Sequence, residues 1–420
     1  MVVKSPFLVS LIGKIVVKIS RLKGGHGSAL PGLVVEKLSP HFLRDVLNKL
    51  PRGVVVISGT NGKTTTTKMV VAILKNAGLK VFTNDSGSNF TRGVASAALR
   101  EMKRGKLDAD IAVLELDEAH AVHFVREIKP RFCLLLNVLR DQLDRFGEID
   151  TTAKFLETVA KNTTDGVVLN RDDLLITKIA EVLEKQAISY FGYAPDLAKD
   201  FPSDEQLHAK KKSVAKTKPA DVELAKFSCS SATYKIDEKN YDAKLQMNGS
   251  HNILNGAAAL ALARMILGKE AKTTKMIAAL EKVPPAFGRG ETIRIHGQPL
   301  ELILVKNPSG FRLALASQAK KSAATMIAIN DQYADGRDMS WLWDVDFHAL
   351  TSVAVVSGIR AYDMALRLEY DDVPVGTIEP DLRRALNEFL TNEKGKVKQI
   401  FCSYTAMLTL REMLKKEMQK

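Results

Sequence analysis

The chain has 420 residues, 45% of them hydrophobic and 26% charged, which is the composition of a globular protein able to form two or three domains without disulfides or metals. Its net charge of +13 raises the expectation of an anionic partner, but the excess is spread along the chain and does not choose among nucleic acid, acidic lipid and phosphorylated substrates. The three cysteines, Cys133, Cys229 and Cys402, form no CxxC pair, which argues against a disulfide framework or a zinc ribbon and fits a reducing cytoplasm.

The N-terminal segment is too interrupted to cross a membrane. A spanning helix needs about 20 mostly apolar residues, whereas Gly13, Lys14 and Lys18 interrupt the apolar run that begins at Phe7. Residues 7–22 mix apolar and basic side chains at roughly helical spacing, so they could lie on a membrane surface or pack as a helix on the protein itself. We therefore expect a cytoplasmic protein, with a peripheral contact at the inner face of the membrane left open.

The first half of the chain alternates short apolar runs with helical segments. Val54–Ser58 is a β-branched run between glycines and predicts a buried parallel strand, followed by a helix over Lys63–Asn76. Further strands are predicted at residues 81–83, 111–116, 132–138 and 166–170. This alternation predicts an α/β domain with a mainly parallel sheet.

In the second half of the chain, the alternation of predicted strands and helices is interrupted and then resumes. Residues from about 195 to 230 are rich in proline and charge and are interpreted as an exposed excursion. A linker is expected from Pro284 through Gly290, after which alternating strands and helices predict a second α/β domain of about 120 residues. We also predict a strand pair near 232–236 and 243–247, a helix over 251–267, and strands at 300–305, 324–329, 353–356 and 399–403. The predicted divisions are an N-terminal segment 1–42, a central domain 43–297 and a C-terminal domain 298–420.

A phosphate-binding loop is the strongest local signal. It lies between a predicted strand and a predicted helix, where glycines let backbone N–H groups surround phosphate oxygens and the helix N-terminus adds positive charge. Lys63 can reach the β- and γ-phosphates, and the Thr64 hydroxyl can bind Mg²⁺. The alternative is a glycine-rich turn without function. The residues predicted to contact the nucleotide phosphates are Gly59, Thr60, Asn61, Gly62, Lys63, Thr64 and Thr65.

Glu115 stands at the end of a predicted strand. Ligands of open α/β sheets bind at the carboxyl ends of the strands, and a carboxylate there can hold Mg²⁺. We therefore predict Glu115 and Thr64 as metal ligands, with a solvated strand end as the alternative reading of Glu115.

The residues from the phosphate loop to Glu115 resemble the Mur ligases and folylpolyglutamate synthases. Residues 137–144, 170–173, 249–255 and 287–291 are similar, in order, to the N-…-D-H-L-D, N-x-D-D, G-x-H-N-x-x-N and G-R-x-E segments of this family. The resemblance implies a Mur-ligase-like central ATPase domain on a mainly parallel sheet, followed by a smaller Rossmann-like α/β domain. It also implies nucleotide contacts from Asn252, Asn255 and Arg289.

Within that family the chain is most similar to MurT-type members, through residues 27–32, 304–311, 330–338, 341–344 and 357–365. This resemblance implies amidation of the α-carboxyl of the stem-peptide glutamate of lipid II to isoglutamine in peptidoglycan biosynthesis. The reaction would use ATP and Mg²⁺, pass through an acyl phosphate, and depend on Lys63 and Glu115. Ammonia would come from a GatD-like glutamine amidotransferase, the other subunit of a heterodimer.

The resemblance also implies that a C-terminal aspartate completes the Cys–His pair of the partner. The candidates are Asp338, Asp344 and Asp346, and we favour Asp344 because tryptophans at 341 and 343 beside it suit an interface core. Packing of both tryptophans in the interior is the alternative. Cys133 and Cys402 lie in apolar predicted strands, so neither is expected to be the nucleophile of an internal glutaminase.

The sequence departs from the family pattern in three ways. Only Cys229 is present where many members carry a four-cysteine zinc ribbon, so zinc is not expected. Gln142 replaces a histidine of amino-acid-adding members, and no counterpart of their carbamylated lysine is identified. A free-standing amide ligase that adds an amino acid is the alternative within enzymes. A nucleotide-dependent nucleic-acid binder is disfavoured, because aromatics total only 6% and are not interleaved with the lysines.

Overall fold

The computed structural model describes residues 13, 30–84, 90–139, 149–201, 218–228, 230–247, 249–285, 289–295, 297–318, 323–393 and 395–417. These described residues divide into two compact units, those within 1–138, 149–246 and 252–283 in the first and those within 139–148, 247–251 and 284–420 in the second. Residues 7–22 other than Gly13, the segment 140–148, most of the predicted excursion, Cys229, and residues 286–288 lie outside the described residues. Among the helices that are described, none is both long and apolar enough to span a membrane.

The first unit is built on one large sheet with the strand order β2-β3-β1-β4-β5-β6-β7-β8-β9. Neighbouring strands pair in parallel from β2 to β7, and the last two strands join antiparallel. The strands are β1 Val54–Ser58, β2 Val81–Thr83, β3 Ile111–Glu115, β4 Phe132–Leu135, β5 Gly166–Asn170, β6 Ala187–Tyr193, β7 Val222–Ser228, β8 Ser231–Ile236 and β9 Lys239–Lys244. The predicted α/β class with a mainly parallel sheet is confirmed.

Helices cover the sheet and explain why its central strands are largely apolar, with Ser58, Glu115 and Asn170 standing at carboxyl ends. All residues of β1, β3, β4 and β5 are buried, as expected for parallel strands packed on both faces. The helices are α1 Leu30–Leu38, α2 Phe42–Leu47, α3 Lys63–Asn76, α4 Thr91–Glu101, α5 Glu118–Glu127, α6 Ile149–Lys161, α7 Leu174–Ile179, α8 Ser250–Leu267 and α9 Thr273–Leu280. Gly13 is also buried, and a Cβ built on it would lie 2.6 Å from a methyl carbon of Leu99 in α4, so this position lies against the protein itself.

The end of this sheet differs from the sequence prediction. Residues 222–228 were assigned to the excursion, but they form β7, because Val222 and Leu224 alternate with Glu223 and turn inward as in a half-buried strand. The second hairpin strand was predicted at 243–247, whereas β9 begins at Lys239. Asp237 and Glu238 both adopt positive φ, at 49° and 60°, and form the two-residue turn that sets this register.

The second unit contains a smaller sheet with the order β10-β11-β15-β12-β13-β14, in which only β10 is antiparallel. Its strands are β10 Arg289–Ile295, β11 Gln298–Leu304, β12 Ala324–Ala328, β13 Val353–Ser357, β14 Val375–Glu379 and β15 Lys398–Cys402. Its helices are α10 Pro308–Gln318, α11 Ala361–Glu369, α12 Leu382–Asn392 and α13 Tyr404–Glu417. Two apolar clusters line the sheet, one containing Phe311 and Phe347, the other Phe389 and Leu410.

Two strands of this sheet were missed by the sequence analysis. β10 begins at Arg289, inside the predicted linker, and continues to Ile295. It pairs with β11 and lies in the second unit, although it precedes the predicted boundary at residue 297. Its charged and polar residues conceal a strand that packs Ile293 and Ile295 against the core. β14 is half-buried at the edge of the sheet and lacks an apolar run.

One buried contact fixes α8 against the first sheet and is open to test. The Tyr234 hydroxyl donates a 2.8 Å hydrogen bond to the carbonyl of Ile253, and a Cβ built on Gly256 would lie 2.2 Å from that hydroxyl. Gly256→Ala should therefore lower the free energy of unfolding by about 1–3 kcal/mol through overpacking, despite the helical preference of alanine.

Urea unfolding of the double-mutant cycle checks this. Tyr234→Phe alone should cost about 1 kcal/mol through the lost hydrogen bond. The added cost of Gly256→Ala should then shrink in the Tyr234→Phe background, because the clashing oxygen is gone. An equal cost in both backgrounds would contradict the proposed contact.

Candidate functional site

The predicted phosphate loop lies between β1 and α3, at the carboxyl edge of the first sheet. Gly59 and Gly62 adopt φ values of 129° and 90°, which side-chain-bearing residues rarely adopt. A Cβ on Gly62 would lie 2.5 Å from Asn255 Oδ1, and a Cβ on Gly59 would lie 2.9 Å from the backbone nitrogen of Asn137. Both glycines are therefore required by conformation and by close approach of neighbouring groups.

Asn137 holds the loop from the adjacent strand end. Its side-chain oxygen accepts a 2.8 Å hydrogen bond from the Asn61 amide, and its side-chain nitrogen donates to the Asn61 carbonyl at 3.0 Å. Its own carbonyl accepts from the Thr60 amide at 3.0 Å. Since β4 pairs directly with β1, this clamp ties the loop to the centre of the sheet.

A second layer of polar contacts supports Asn137. The Val138 amide donates to Asp173 at 2.7 Å, and the Asp173 side chain also caps α7. Asn170 donates to the Leu136 carbonyl at 2.9 Å. Segment 170–173, noted in the sequence only for its resemblance, thus fixes the end of β4 beneath the loop.

Thr64 and Glu115 meet at the first turn of α3. The Thr64 hydroxyl donates to Glu115 Oε1 at 2.8 Å, and the Glu115 side chain is buried. The alternative reading of Glu115 as a solvated strand end therefore does not hold. The Asn84 side-chain nitrogen donates a 2.8 Å hydrogen bond to the Glu115 carbonyl, and the Asn84 side-chain oxygen accepts a 2.9 Å hydrogen bond from the Glu115 amide. Sequence reasoning missed Asn84, although a polar residue directly after β2 was a signal of the same sheet edge.

Lys63 is buried and is held by acceptors at the same edge. Its ammonium donates to the Gly59 carbonyl at 2.6 Å and to the Thr60 carbonyl at 3.2 Å. It also lies 3.3 Å and 3.5 Å from the two carboxylate oxygens of Glu118, the first residue of α5. Glu118 was not among the site residues predicted from the sequence.

Asn252 and Asn255 lie on the first turns of α8, and both are buried. Asn255 packs against Gly62, and its side-chain nitrogen has no hydrogen-bond partner among the described residues. The same is true of the hydroxyls of Thr65 and Thr66 in α3. Buried polar atoms beside a glycine cradle fit a site that receives a polar ligand. Arg289 begins β10 in the second unit, and its side chain lies outside the described residues, so its predicted nucleotide contact stays a prediction.

The three candidate aspartates of the second unit lie on or beside a short 3-10 helix, Ser340–Asp344. Asp338 accepts a hydrogen bond from the Ser340 amide at 2.9 Å, and Asp346 lies 2.7 Å from the imidazole Nδ1 of His348. Hydrogen bonds from these neighbours lower the pKa of both carboxyls. Asp344 is partly exposed, and its backbone carbonyl accepts from Arg312 at 2.8 Å.

The two tryptophans beside these aspartates behave differently. Trp341 is buried against Phe311, with ring centroids 6.3 Å apart, so here the alternative of interior packing is correct. Trp343 is 49% exposed, and its ring meets Tyr370 edge to face at 5.1 Å. Of the two tryptophans, Trp343 is therefore the one that offers an aromatic surface beside Asp344.

Cys133 and Cys402 are fully buried in β4 and β15, as predicted. Burial raises the pKa of the Cys133 thiol to about 12 and also raises the pKa of the Cys402 thiol. Because the thiolate is the nucleophile, neither residue can serve a glutaminase reaction near neutral pH.

The clamp at Asn137 predicts a local change that hydrogen exchange can detect. Asn137→Ala removes both side-chain hydrogen bonds to Asn61, so the amides of residues 59–63 should exchange on the order of tenfold faster, as for the loss of about 1.4 kcal/mol. Asn162→Ala is the control, because among the described residues its side chain donates a hydrogen bond to the Thr158 carbonyl at the end of α6, away from the loop. Unchanged exchange in the loop would mean that Asn137 does not hold it.

Comparison with known proteins agrees with this geometry. Residues 57–263 match the Mur ligase middle domain, and residues 304–407 match the MurT ligase C-terminal domain. The fold is similar to that of a crystallised MurF ligase from Thermotoga maritima in complex with ADP, with a TM-score of 0.67 and 18% identity over 90% of this chain and 83% of that one.

Two curated relatives match nearly the whole chain. Both are named lipid II isoglutaminyl synthase (glutamine-hydrolyzing) subunit MurT. The protein from Streptococcus pneumoniae is 33% identical over 94% of each chain, and the one from Staphylococcus aureus is 29% identical over 97% of each chain. The chain therefore belongs to the MurT family of Mur-ligase-like proteins.

Proposed function

We propose that this chain is the ATP-dependent subunit of a lipid II isoglutaminyl synthase, which amidates the α-carboxyl of the stem-peptide glutamate of lipid II. The observation that carries the proposal is the 2.8 Å pairing of Thr64 with buried Glu115 at the head of the phosphate loop. A hydroxyl and a carboxylate at the start of such a helix suit a site for ATP and Mg²⁺. Membership of the MurT family supplies the substrate class and the amide product.

The first chemical step would activate the carboxylate. A carboxylate oxygen attacks the γ-phosphorus of ATP, the bond to the bridging oxygen breaks, and ADP leaves with an acyl phosphate formed. Lys63 would place its ammonium against the charge that develops on the phosphoryl oxygens. Thr64 and Glu115 are the residues we propose hold Mg²⁺, which would supply further charge neutralisation there. Asn252, Asn255 and Arg289 would bind the rest of the nucleotide.

The second step would form the amide. Ammonia attacks the acyl carbon, the carbon–oxygen bond to phosphate breaks, and a proton leaves the nitrogen. Glutamine hydrolysis needs an activated nucleophile, and the two described cysteines are buried and protonated. We propose that a GatD-like glutaminase subunit provides the ammonia and that Asp344 orients the histidine of its catalytic pair.

Lys63→Ala should abolish ATP turnover with the fold retained, because it removes the charge that neutralises the transferred phosphoryl group. The expected loss is about 10²–10³ in rate. Phosphate release from ATP with lipid II and ammonia measures it. Lys68→Ala, an exposed lysine on the same helix, is the matched control. Turnover close to that of the unaltered protein in the purified Lys63→Ala variant would refute the assignment of the loop.

Asp344→Asn should separate the two halves of the reaction in the complex with the partner. The exchange keeps the shape but removes the charge that would steady a protonated histidine, so glutamine-dependent amidation should fall by about 10²–10⁴. Amidation with added ammonia and formation of the complex should persist.

Asp338→Asn and Asp346→Asn serve as the matched controls and should leave glutamine use intact. If one of them abolishes it instead, the assignment moves to that residue. If all three are silent, the shared catalytic pair is wrong for this protein. Ligation of an amino acid with no partner present would favour the free-standing ligase.

A further inference from the structure

Glu118 is a buried carboxylate to which the proposed reaction assigns no part. Its side chain is only 5% exposed, and within the described part of the chain Lys63 is the group with which its carboxylate forms hydrogen bonds. It opens α5 directly after β3, so it lies at the sheet edge where Glu115 and the phosphate loop meet. A buried charge is costly unless paired, which makes Lys63 the natural counter-ion of Glu118.

Lys63 is also the residue that a polyphosphate needs. An ammonium has three N–H donors, and in this structure the Gly59 carbonyl, the Thr60 carbonyl and Glu118 all lie within hydrogen-bonding range. Phosphate oxygens that bind Lys63 must replace at least one of these acceptors. The Glu118 contacts, at 3.3 Å and 3.5 Å, are the longest and therefore the first to be exchanged.

We propose that Glu118 is a positioning residue that competes with the β- and γ-phosphates for Lys63. It holds the Lys63 ammonium at the loop together with the Gly59 and Thr60 carbonyls. When nucleotide binds, Glu118 loses its counter-ion and stays as a buried negative charge near a polyanion. Both effects weaken nucleotide binding. When Lys63 returns from the phosphates to Glu118, the restored ion pair helps ADP to leave. This inference rests on the proposed function, because it assumes that nucleotide phosphates occupy the loop.

Isothermal titration of the full-length chain tests the inference with ADP, inorganic tripolyphosphate and AMP at constant Mg²⁺. Glu118→Gln keeps the shape of the side chain but removes its charge. Its Kd for ADP and tripolyphosphate should fall by roughly three- to tenfold, the effect of removing one competing ion pair. The Kd for AMP should stay the same, because AMP has no β-phosphate to reach Lys63. A general change in packing would not discriminate among these ligands by their phosphates.

Glu127→Gln is the matched control, since Glu127 lies on the same helix, is exposed, and faces His41 at 3.7 Å. It should leave all three Kd values unchanged. Glu118→Asp, with a shorter side chain, should shift the Kd in the same direction as Glu118→Gln and replaces it if the glutamine variant does not fold.

The outcomes separate the two ideas. If the unaltered chain binds neither ADP nor tripolyphosphate, the proposed function fails. If it binds both and Glu118→Gln binds them equally or more weakly, the proposed function stands and the inference is overturned, because Glu118 would then be silent or would hold Lys63 in its phosphate-binding position.

Discussion

The site depends on the backbone of residues 59–62 staying in a bent shape that it would not keep alone. Two glycines with positive φ allow the backbone to adopt this bend, but they do not hold it there, because glycine leaves many other conformations accessible. The Asn137 side chain accepts a hydrogen bond from the Asn61 amide and donates one to the Asn61 carbonyl, and this pair selects that one shape. Asn170 and Asp173 at the end of the next strand hold the neighbours of Asn137 in turn. The conformation of this loop therefore depends on the adjacent positions of β1, β4 and β5 in the sheet.

The local parts of this arrangement could be predicted from the sequence, and the parts that cross the sheet could not. β1, the loop and α3 are contiguous, and their glycines and hydrophobic spacing carry the signal. The pairing of Thr64 with Glu115 joins residues 51 apart and holds only because β3 lies beside β1. Asn84 and Glu118 depend on the same strand order. β7 and β10 were missed because polar and charged residues in their sequences hide short alternating patterns of buried residues, such as Val222 and Leu224 in β7 and Ile293 and Ile295 in β10.

In the second unit, too, the sequence alone did not predict how side chains are placed, even for two residues close together in the chain. Trp341 and Trp343 are two residues apart and were treated alike, yet one is buried and the other is half-exposed. They lie in a 3-10 helix, where successive residues are separated by about 120°, so positions two apart point to different sides. The identity of the residues indicated an aromatic surface beside Asp344. Only the geometry of the turn shows which ring provides it.

The last strand of the first sheet has a consequence for the protein at high concentration. A sheet edge offers unpaired amides and carbonyls that another chain can extend, which is a common route to edge-to-edge aggregation. β9 forms one edge and is largely exposed, but it carries Lys239, Asp242 and Lys244, and the Glu281 carboxylate accepts a 3.0 Å hydrogen bond from the Lys244 amide. The opposite edge is the three-residue strand β2. We therefore expect the protein to resist edge-to-edge aggregation through this nine-stranded sheet, because neither edge of the sheet offers a long, flat, uncharged strand for another chain to pair with.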